Sequence, residues 1–146
     1  MNTLIFPPSG PQNAERFGAL NRDAREQLWF SLEFCDAVLQ HNPTHRSALE
    51  LAATCCTELG YYEDGLRLDR ELSRLLPGDP LVLYNLACSL ALTGCREEAL
   101  STLGAAISRG SGHGAIFSNM RKDNDLYSIR NEPRFIALAS LAACLA

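Results

Sequence analysis

The sequence lacks the features that identify membrane, secreted and general nucleic-acid-binding proteins. No uninterrupted apolar run approaches the ~18 residues that a membrane-spanning helix requires. The apolar run near the N-terminus is only Leu4-Ile5-Phe6 with no Lys or Arg before it, whereas a secretory signal needs a basic start and roughly 7–15 apolar residues. Lys and Arg total 13 against 17 for Asp and Glu, so a basic excess is missing. We expect a cytoplasmic protein with neither a membrane nor a nucleic-acid partner.

The sequence also lacks the short motifs of common catalytic and cofactor sites. It contains no C-x-x-C, H-E-x-x-H, G-x-S-x-G or G-x-x-x-x-G-K. His41 and His45 have the spacing of a helical metal pair, but Asn42-Pro43 lies between them, and proline disfavours a helical residue before it. The glycines of residues 110–114 are compatible with anion binding at a helix start, but a plain turn is favoured because the lysine and strand of a phosphate loop are missing. We expect no catalytic residue, no metal and no cofactor, and hence no enzyme.

The six cysteines do not indicate a disulfide framework, although their number is even. Most of them lie within helical apolar patterns, and a chain of this length can form a core without covalent links. We expect reduced thiols with structural or incidental roles. The six are Cys35, Cys55, Cys56, Cys88, Cys95 and Cys144.

The strongest positive signal is an internal repeat. The chain has 146 residues, 47% of them apolar and 21% charged, as expected of one globular domain. Segment 43–76 aligns with 77–110 at an offset of 34 residues, with matches in size and polarity beside the identical positions. No stretch alternates with period two, so strands are not expected. The identical pairs are Pro43/Pro77, Leu49/Leu83, Ala53/Ala87, Gly60/Gly94, Glu63/Glu97 and Leu66/Leu100.

Each repeat has the pattern of two helices. Apolar residues at i, i+3, i+4 and i+7 from Leu49 to Cys56 form one helical face, and Gly60 ends that helix because glycine enters the left-handed conformation without steric cost. A second apolar stripe runs from Leu66 to Leu76 and stops at Pro77-Gly78. Asp79-Pro80 then supplies a capping acceptor and a first-turn proline for the next repeat. We therefore expect an all-α fold of six to eight helices.

These residues resemble the tetratricopeptide repeat, a 34-residue helix–turn–helix unit with the pattern W-x2-L-G-x2-Y, then A-x3-F, then P. One unit carries Leu49-x2-Ala52-Ala53-x2-Cys56, with Gly65 and Pro77 further on. The next carries Leu83-x2-Leu86-Ala87-x2-Leu90 and Ala99-x3-Leu103. Neither unit has the opening tryptophan, and Asp69 and Ser111 depart from the pattern. The resemblance implies antiparallel helix hairpins in a right-handed superhelical array.

The resemblance divides the chain into five segments. They are an N-terminal tail and short helix (1–20), a degenerate first repeat helix (21–43), two repeat units (44–79 and 80–111) and a variant capping unit (112–146).

Within the last segment, Asp123-Asn124-Asp125 and Pro133-Arg134-Phe135 look like the closing segment of many bacterial repeat arrays, which covers the open apolar end. A calcium loop is excluded because Ser128 and Arg134 replace the required glycine and glutamate. We expect the aspartates to cap a helix.

In this family the first helices of successive units line a concave groove that accepts a peptide or helix of a partner protein. The resemblance therefore implies a non-catalytic scaffold or adaptor for protein–protein interaction, with a partner that the sequence does not identify. Replacing Tyr84 by alanine is expected to weaken binding by at least ~1 kcal/mol with folding retained. The groove positions that the family implies are Glu50, Thr54 and Thr57 on one helix and Tyr84, Asn85, Cys88 and Ala91 on the next.

Two further apolar surfaces leave alternatives open. Trp29, Phe30 and Phe34 lie together on the 22–41 helix, where they pack either against segment 11–20 or against a partner. At the C-terminus, residues 135–146 contain no charged side chain. This helix is either buried against the capping segment or mediates a homodimer through Leu138, Leu141 and Leu145. The alternative function is a self-associating structural protein or an accessory subunit of a larger complex.

Overall fold

The computed structural model describes residues 10–145, and this part of the chain is all-α without strands. Its seven α-helices confirm the predicted fold class, and each lies within one of the five predicted segments. The α-helices are α1 (Ala14–Ala19), α2 (Arg22–His41), α3 (Arg46–Glu58), α4 (Tyr62–Leu75), α5 (Pro80–Leu92), α6 (Arg96–Arg109) and α7 (Pro133–Cys144). Three short 3-10 helices lie between α6 and α7, at Gly114–Ile116, Met120–Lys122 and Asn124–Ile129.

The described residues form two compact units, which divide between Leu72 and Ser73. In the first unit α2 packs against α3 and buries Leu32 and Cys35. Helix α4 approaches α3 closely at Gly65, where an added Cβ would lie 2.9 Å from Thr57 Oγ1. The small residue predicted at this position therefore permits the close packing of the helix pair.

Two glycines end their helices in the same way, 34 residues apart. Gly60 has φ +81° and Gly94 has φ +84°, so both adopt the left-handed conformation that their positions predict. The amide of Tyr61 donates to Cys56 O at 2.8 Å, and the amide of Cys95 donates to Leu90 O at 2.8 Å. The same turn is thus present in both sequence repeats.

The segment before α2 is attached to the α3–α4 turn. Asn13 donates from its amide to Gly60 O (3.1 Å) and from Nδ2 to Tyr62 Oη (3.0 Å). Arg16 Nη2 donates to Glu58 Oε1 at 3.0 Å. Since α1 has only six residues and buries none of them, these polar contacts hold it in place.

In the second unit α5 is the central helix. Residues 80–92 carry no charge, and α6 and the 3-10 helices Gly114–Ile116 and Asn124–Ile129 pack against α5. Asp79 Oδ1 accepts from the amides of Leu81 (3.0 Å) and Val82 (3.1 Å), so the predicted N-cap is present. Helix α7 packs on α6 and buries Phe135. Within residues 10–145, no helix combines the length and the apolar character that crossing a membrane requires.

Candidate functional site

The three groove positions predicted on α3 differ in accessibility. Thr54 is exposed, and its hydroxyl donates to the carbonyl of Glu50 one turn earlier (3.0 Å). Glu50 is half-buried and accepts from Arg46 Nε at 2.7 Å. Thr57 lies at the contact with Gly65 of α4. A partner therefore has access to Thr54 and part of Glu50, while Thr57 contributes to helix packing.

The groove positions predicted on α5 are mostly covered by the chain itself. Asn85 is exposed, but Tyr84 retains only 7% exposure, and Cys88 and Ala91 are also buried. Tyr84, Cys88 and Ala91 are therefore not open at the surface, and residues 114–129 contact all three. We refer to residues 114–129, which contain the three 3-10 helices, as the covering segment.

Polar contacts join the covering segment to successive turns of α5. The hydroxyl of Tyr84 donates to Asp123 Oδ2 at 2.7 Å, and Cys88 Sγ lies 3.9 Å from the same oxygen. One turn further along, Ser128 Oγ donates to the carbonyl of Ala91 at 3.1 Å. The side of α5 that the repeat alignment assigns to a partner thus has an intramolecular occupant.

The carboxylate of Asp123 binds both α5 and the backbone of the covering segment. Its Oδ1 accepts from the amide of Asp125 at 3.0 Å, as the predicted capping role requires, while Oδ2 accepts from Tyr84. Arg130 Nη2 donates to the Asp123 carbonyl at 2.9 Å. The same aspartate therefore starts a 3-10 helix and attaches it to α5.

Phe117 is the main apolar contact of Tyr84. The two rings meet edge to face, with centroids 5.9 Å apart and an interplanar angle of 67°. On its other side Phe117 packs against Gly110, where an added Cβ would lie 2.6 Å from Phe117 Cε2. Gly110 has a φ of −87°, so it is needed here for space rather than for a left-handed backbone.

Burial raises the pKa of Tyr84 well above its ordinary value, and the neighbouring Cys88 and Asp123 raise it further. The phenol is consequently protonated at neutral pH and acts as a hydrogen-bond donor. Leu126 and Ile129 of the covering segment are fully buried, so the segment belongs to the core of its unit. Partner binding at Tyr84 stays a prediction, and it requires this segment to be displaced.

Sequence reasoning missed the roles of Phe117 and Asp123 toward α5. The sequence predicts Asp123 as a helix cap. It does not predict the hydrogen bond from Tyr84, because the two residues are 39 positions apart and no helical period relates them. One signal was available, because a stacked array needs a terminal segment over its open apolar end. That signal predicts a cover without specifying the side chains it contacts.

The aromatic cluster on α2 separates into a buried side and an exposed side. Trp29 is half-buried and packs edge to face on Tyr61, with ring centroids 5.6 Å apart at 77°. Phe17, from segment 11–20, packs under the guanidinium of Arg25. Phe30 and Phe34 are 71% and 61% exposed, so the described residues of that segment do not bury them.

Helix α7 is covered on one side only. Leu138 is half-buried, and its Cδ2 lies 3.5 Å from the position of a Cβ added at Gly104 of α6. Ile136 and Leu141 are each 48% exposed, and Leu145 is also exposed. Of the residues predicted for self-association, Leu141 and Leu145 remain accessible, while Leu138 contributes to the contact with α6.

The cysteines are free thiols, and two of the histidines contact the backbone of their own helices. All six thiols are free, and four are buried. Burial raises the pKa of Cys55 to about 11, so this thiol is protonated at neutral pH. His45 caps α3 by accepting from the Ala48 amide, and His41 Nδ1 lies 2.9 Å from Ala37 O. No group of three or more His, Cys, Asp or Glu side chains within residues 10–145 is arranged to hold a metal ion.

Comparison with known proteins finds no family model, no curated protein and no solved structure that matches this chain.

Proposed function

We propose that this protein is a non-catalytic protein-interaction module that binds a peptide or helix of a partner. The observation that carries the proposal is the exposure of Phe30 and Phe34, one turn apart on α2. Adjacent exposed aromatic side chains are typical of protein–protein contacts, where phenylalanine is enriched relative to the rest of the surface. Neighbouring Trp29 packs on Tyr61 with ring centroids 5.6 Å apart, so it is Phe30 and Phe34 that are available to a partner.

The accessible groove positions are further candidate contacts. Thr54 and Asn85 are exposed on the first helix of each repeat, where the resemblance to tetratricopeptide repeats implies partner contacts. We treat them as separate candidates, Thr54 with the accessible part of Glu50 in the first unit and Asn85 in the second. The proposed location is the cytoplasm, as the sequence predicts.

The test is affinity capture from an extract of the cells that produce this protein, followed by binding measurements with the purified partner. Phe30→Ser with Phe34→Ser is expected to lower the affinity at least about tenfold. Thr54→Lys and Asn85→Lys test the groove positions separately. The matched control replaces Leu75 of α4 and Tyr127 of the covering segment, exposed side chains that are not among the predicted groove positions, by serine.

Circular dichroism establishes that each variant is folded. A partner bound equally well by the phenylalanine variant and the control would place the interface elsewhere. Recovery of the protein itself and nothing else would contradict a heterologous partner.

Self-association is the second candidate function, and a specific observation favours it. The outer side of α7 exposes Ile136, Leu141 and Leu145 in a stretch, residues 135–145, that contains no charged side chain. A helix with an apolar outward face is typical of oligomer interfaces. Sedimentation of the wild type and of a Leu141→Glu, Leu145→Glu variant tests this candidate.

A further inference from the structure

Phe30 and Phe34 lie on a face of α2 whose charged residues are mainly acidic. With 3.6 residues per turn, positions 23, 26, 27, 30, 33 and 34 share one side of the helix, and all six side chains are exposed. Four of them line a shallow depression. We call this surface the α2 outer face; it consists of Asp23, Glu26, Gln27, Phe30, Glu33 and Phe34.

The charged side chains of the α2 outer face are all negative. Glu26 and Glu33 are seven residues apart, so they lie on the same edge of the face. Along the helix axis, Glu26 comes before Phe30 and Glu33 comes after it. Arg22 pairs with Glu26 at 2.7 Å, and Arg25 is directed to the ring of Phe17 on α1. Three carboxylates therefore stand against one guanidinium, in a protein whose net charge is −4.

We propose that the α2 outer face docks a cationic amphipathic helix of a partner protein. This inference rests on the proposed function and adds the chemistry of the partner. An apolar row on the partner covers Phe30 and Phe34, and lysine or arginine residues beside that row meet Glu26 and Glu33. An acidic helix of the same shape is repelled, because its carboxylates would face those of the α2 outer face.

The charge arrangement predicts how binding depends on salt. Exposed carboxylates attract a cationic helix over a distance set by the ionic strength, about 10 Å at 0.1 M. Binding is therefore expected to be tighter at low salt, whereas the apolar contact with the two phenylalanines persists at high salt. A surface that used only its aromatic side chains would show no preference for basic peptides.

The experiment uses the full chain and two synthetic amphipathic helices of roughly 15 residues. One contains leucine and lysine, and the other has the same leucine pattern with glutamate in place of lysine. Trp29, the single tryptophan, adjoins Phe30 on α2, so its fluorescence reports binding of these non-aromatic peptides. We expect saturable binding of the leucine–lysine peptide and at least about tenfold weaker binding of the leucine–glutamate peptide.

Variants separate this face from non-specific attraction to an acidic protein. Phe30→Ser with Phe34→Ser keeps the net charge and is expected to lose at least about tenfold in affinity for the leucine–lysine peptide. Leu51→Ser with Leu81→Ser is the control and is expected to bind like the wild type. Asp23→Asn with Glu33→Gln is expected to weaken binding severalfold at about 50 mM salt and much less at about 500 mM.

Failure of this inference is distinguishable from failure of the proposed function. Equal binding of the two peptides, with both affinities lost in the phenylalanine variant, would overturn the preference for a cationic partner and leave an interaction surface. Binding of the leucine–lysine peptide that the phenylalanine substitutions do not change would overturn docking at this face. Absence of saturable binding to the wild type would also overturn it.

Discussion

At the scale of single residues, the buried side chains of Tyr84 and Asp64 differ in how their burial is compensated. Tyr84 donates a 2.7 Å hydrogen bond to a carboxylate and remains neutral, so its burial leaves no charge without a partner. Asp64, near the start of α4, is buried too, but the nearest guanidinium nitrogen, Arg67 Nη2, is 3.7 Å away. Desolvation raises the pKa of Asp64, the nearby Arg67 opposes this effect, and the charge of Glu63 adds to it.

The raised pKa of Asp64 predicts a specific pH dependence of stability. The folded state keeps the Asp64 proton to higher pH than the unfolded chain, whose pKa is 3.8. The resulting stabilisation is present below the unfolded pKa and is lost as the pH rises through the folded pKa. Since Asp64→Asn removes this titration, the stability of the variant relative to wild type is expected to be higher at about pH 7 than at about pH 4.

Urea denaturation of both proteins at several pH values measures this difference. Glu98→Gln is a matched control, because Glu98 is the equivalent position 34 residues later and is exposed. The control is expected to show a smaller change with pH. An Asp64→Asn difference that is constant with pH would show that this carboxyl has the same pKa in the folded and unfolded states.

At the scale of secondary-structure elements, the two repeated turns share a conformation but differ in their surroundings. Gly60 and Gly94 both have positive φ angles. A Cβ at Gly60 would lie 2.5 Å from the carbonyl oxygen of Asn13, whereas nothing lies within 4 Å of a Cβ at Gly94. Gly60 therefore meets two requirements, a left-handed backbone and space for α1, and Gly94 meets only the first.

Alanine substitutions at these two glycines separate the two requirements. Gly94→Ala is expected to cost about 1–2 kcal/mol of folding free energy, the penalty for a left-handed alanine. Gly60→Ala is expected to cost more, because the segment that contains Asn13 must also move. Urea denaturation followed by the helical circular dichroism signal gives both values. Equal costs would mean that the contact between Asn13 and Gly60 contributes nothing to stability.

At the scale of the whole molecule, the exposed side of α7 predicts an oligomeric state. Burying an exposed leucine contributes roughly 1.5–3 kcal/mol at most, and a twofold contact buries each residue twice. Sedimentation of the wild type at tens of micromolar is expected to show a dimer, and Leu141→Glu with Leu145→Glu is expected to give a monomer. Both leucines are exposed, so the variant is expected to stay folded.

A control with the same added charge makes this test specific. Leu51→Glu with Leu81→Glu introduces two carboxylates at exposed leucines of α3 and α5, and this variant is expected to remain dimeric. A monomeric wild type at these concentrations would contradict self-association through α7. An unfolded Leu141→Glu, Leu145→Glu variant would show that these side chains belong to the core.

The sequence alone determined the features that depend on local conformation and on helical spacing. The left-handed turns at Gly60 and Gly94 and the Asp79 cap follow from steric and hydrogen-bonding rules within a few residues. Close packing at Gly65 also followed, because the 34-residue repeat places a small side chain where two helices of a hairpin meet.

Only the tertiary structure decided which side chains of these helices remain accessible. The repeat pattern assigns Tyr84 to a groove, and the sequence leaves Phe30 open between core and interface, because a sequence pattern contains no information on what covers a side chain. Tyr84 is buried and donates to Asp123, 39 residues away, while Phe30 is 71% exposed and the neighbouring Trp29 forms the ring contact with Tyr61. Accessibility depends on contacts between residues that are distant in sequence, and such contacts have no period that the sequence displays.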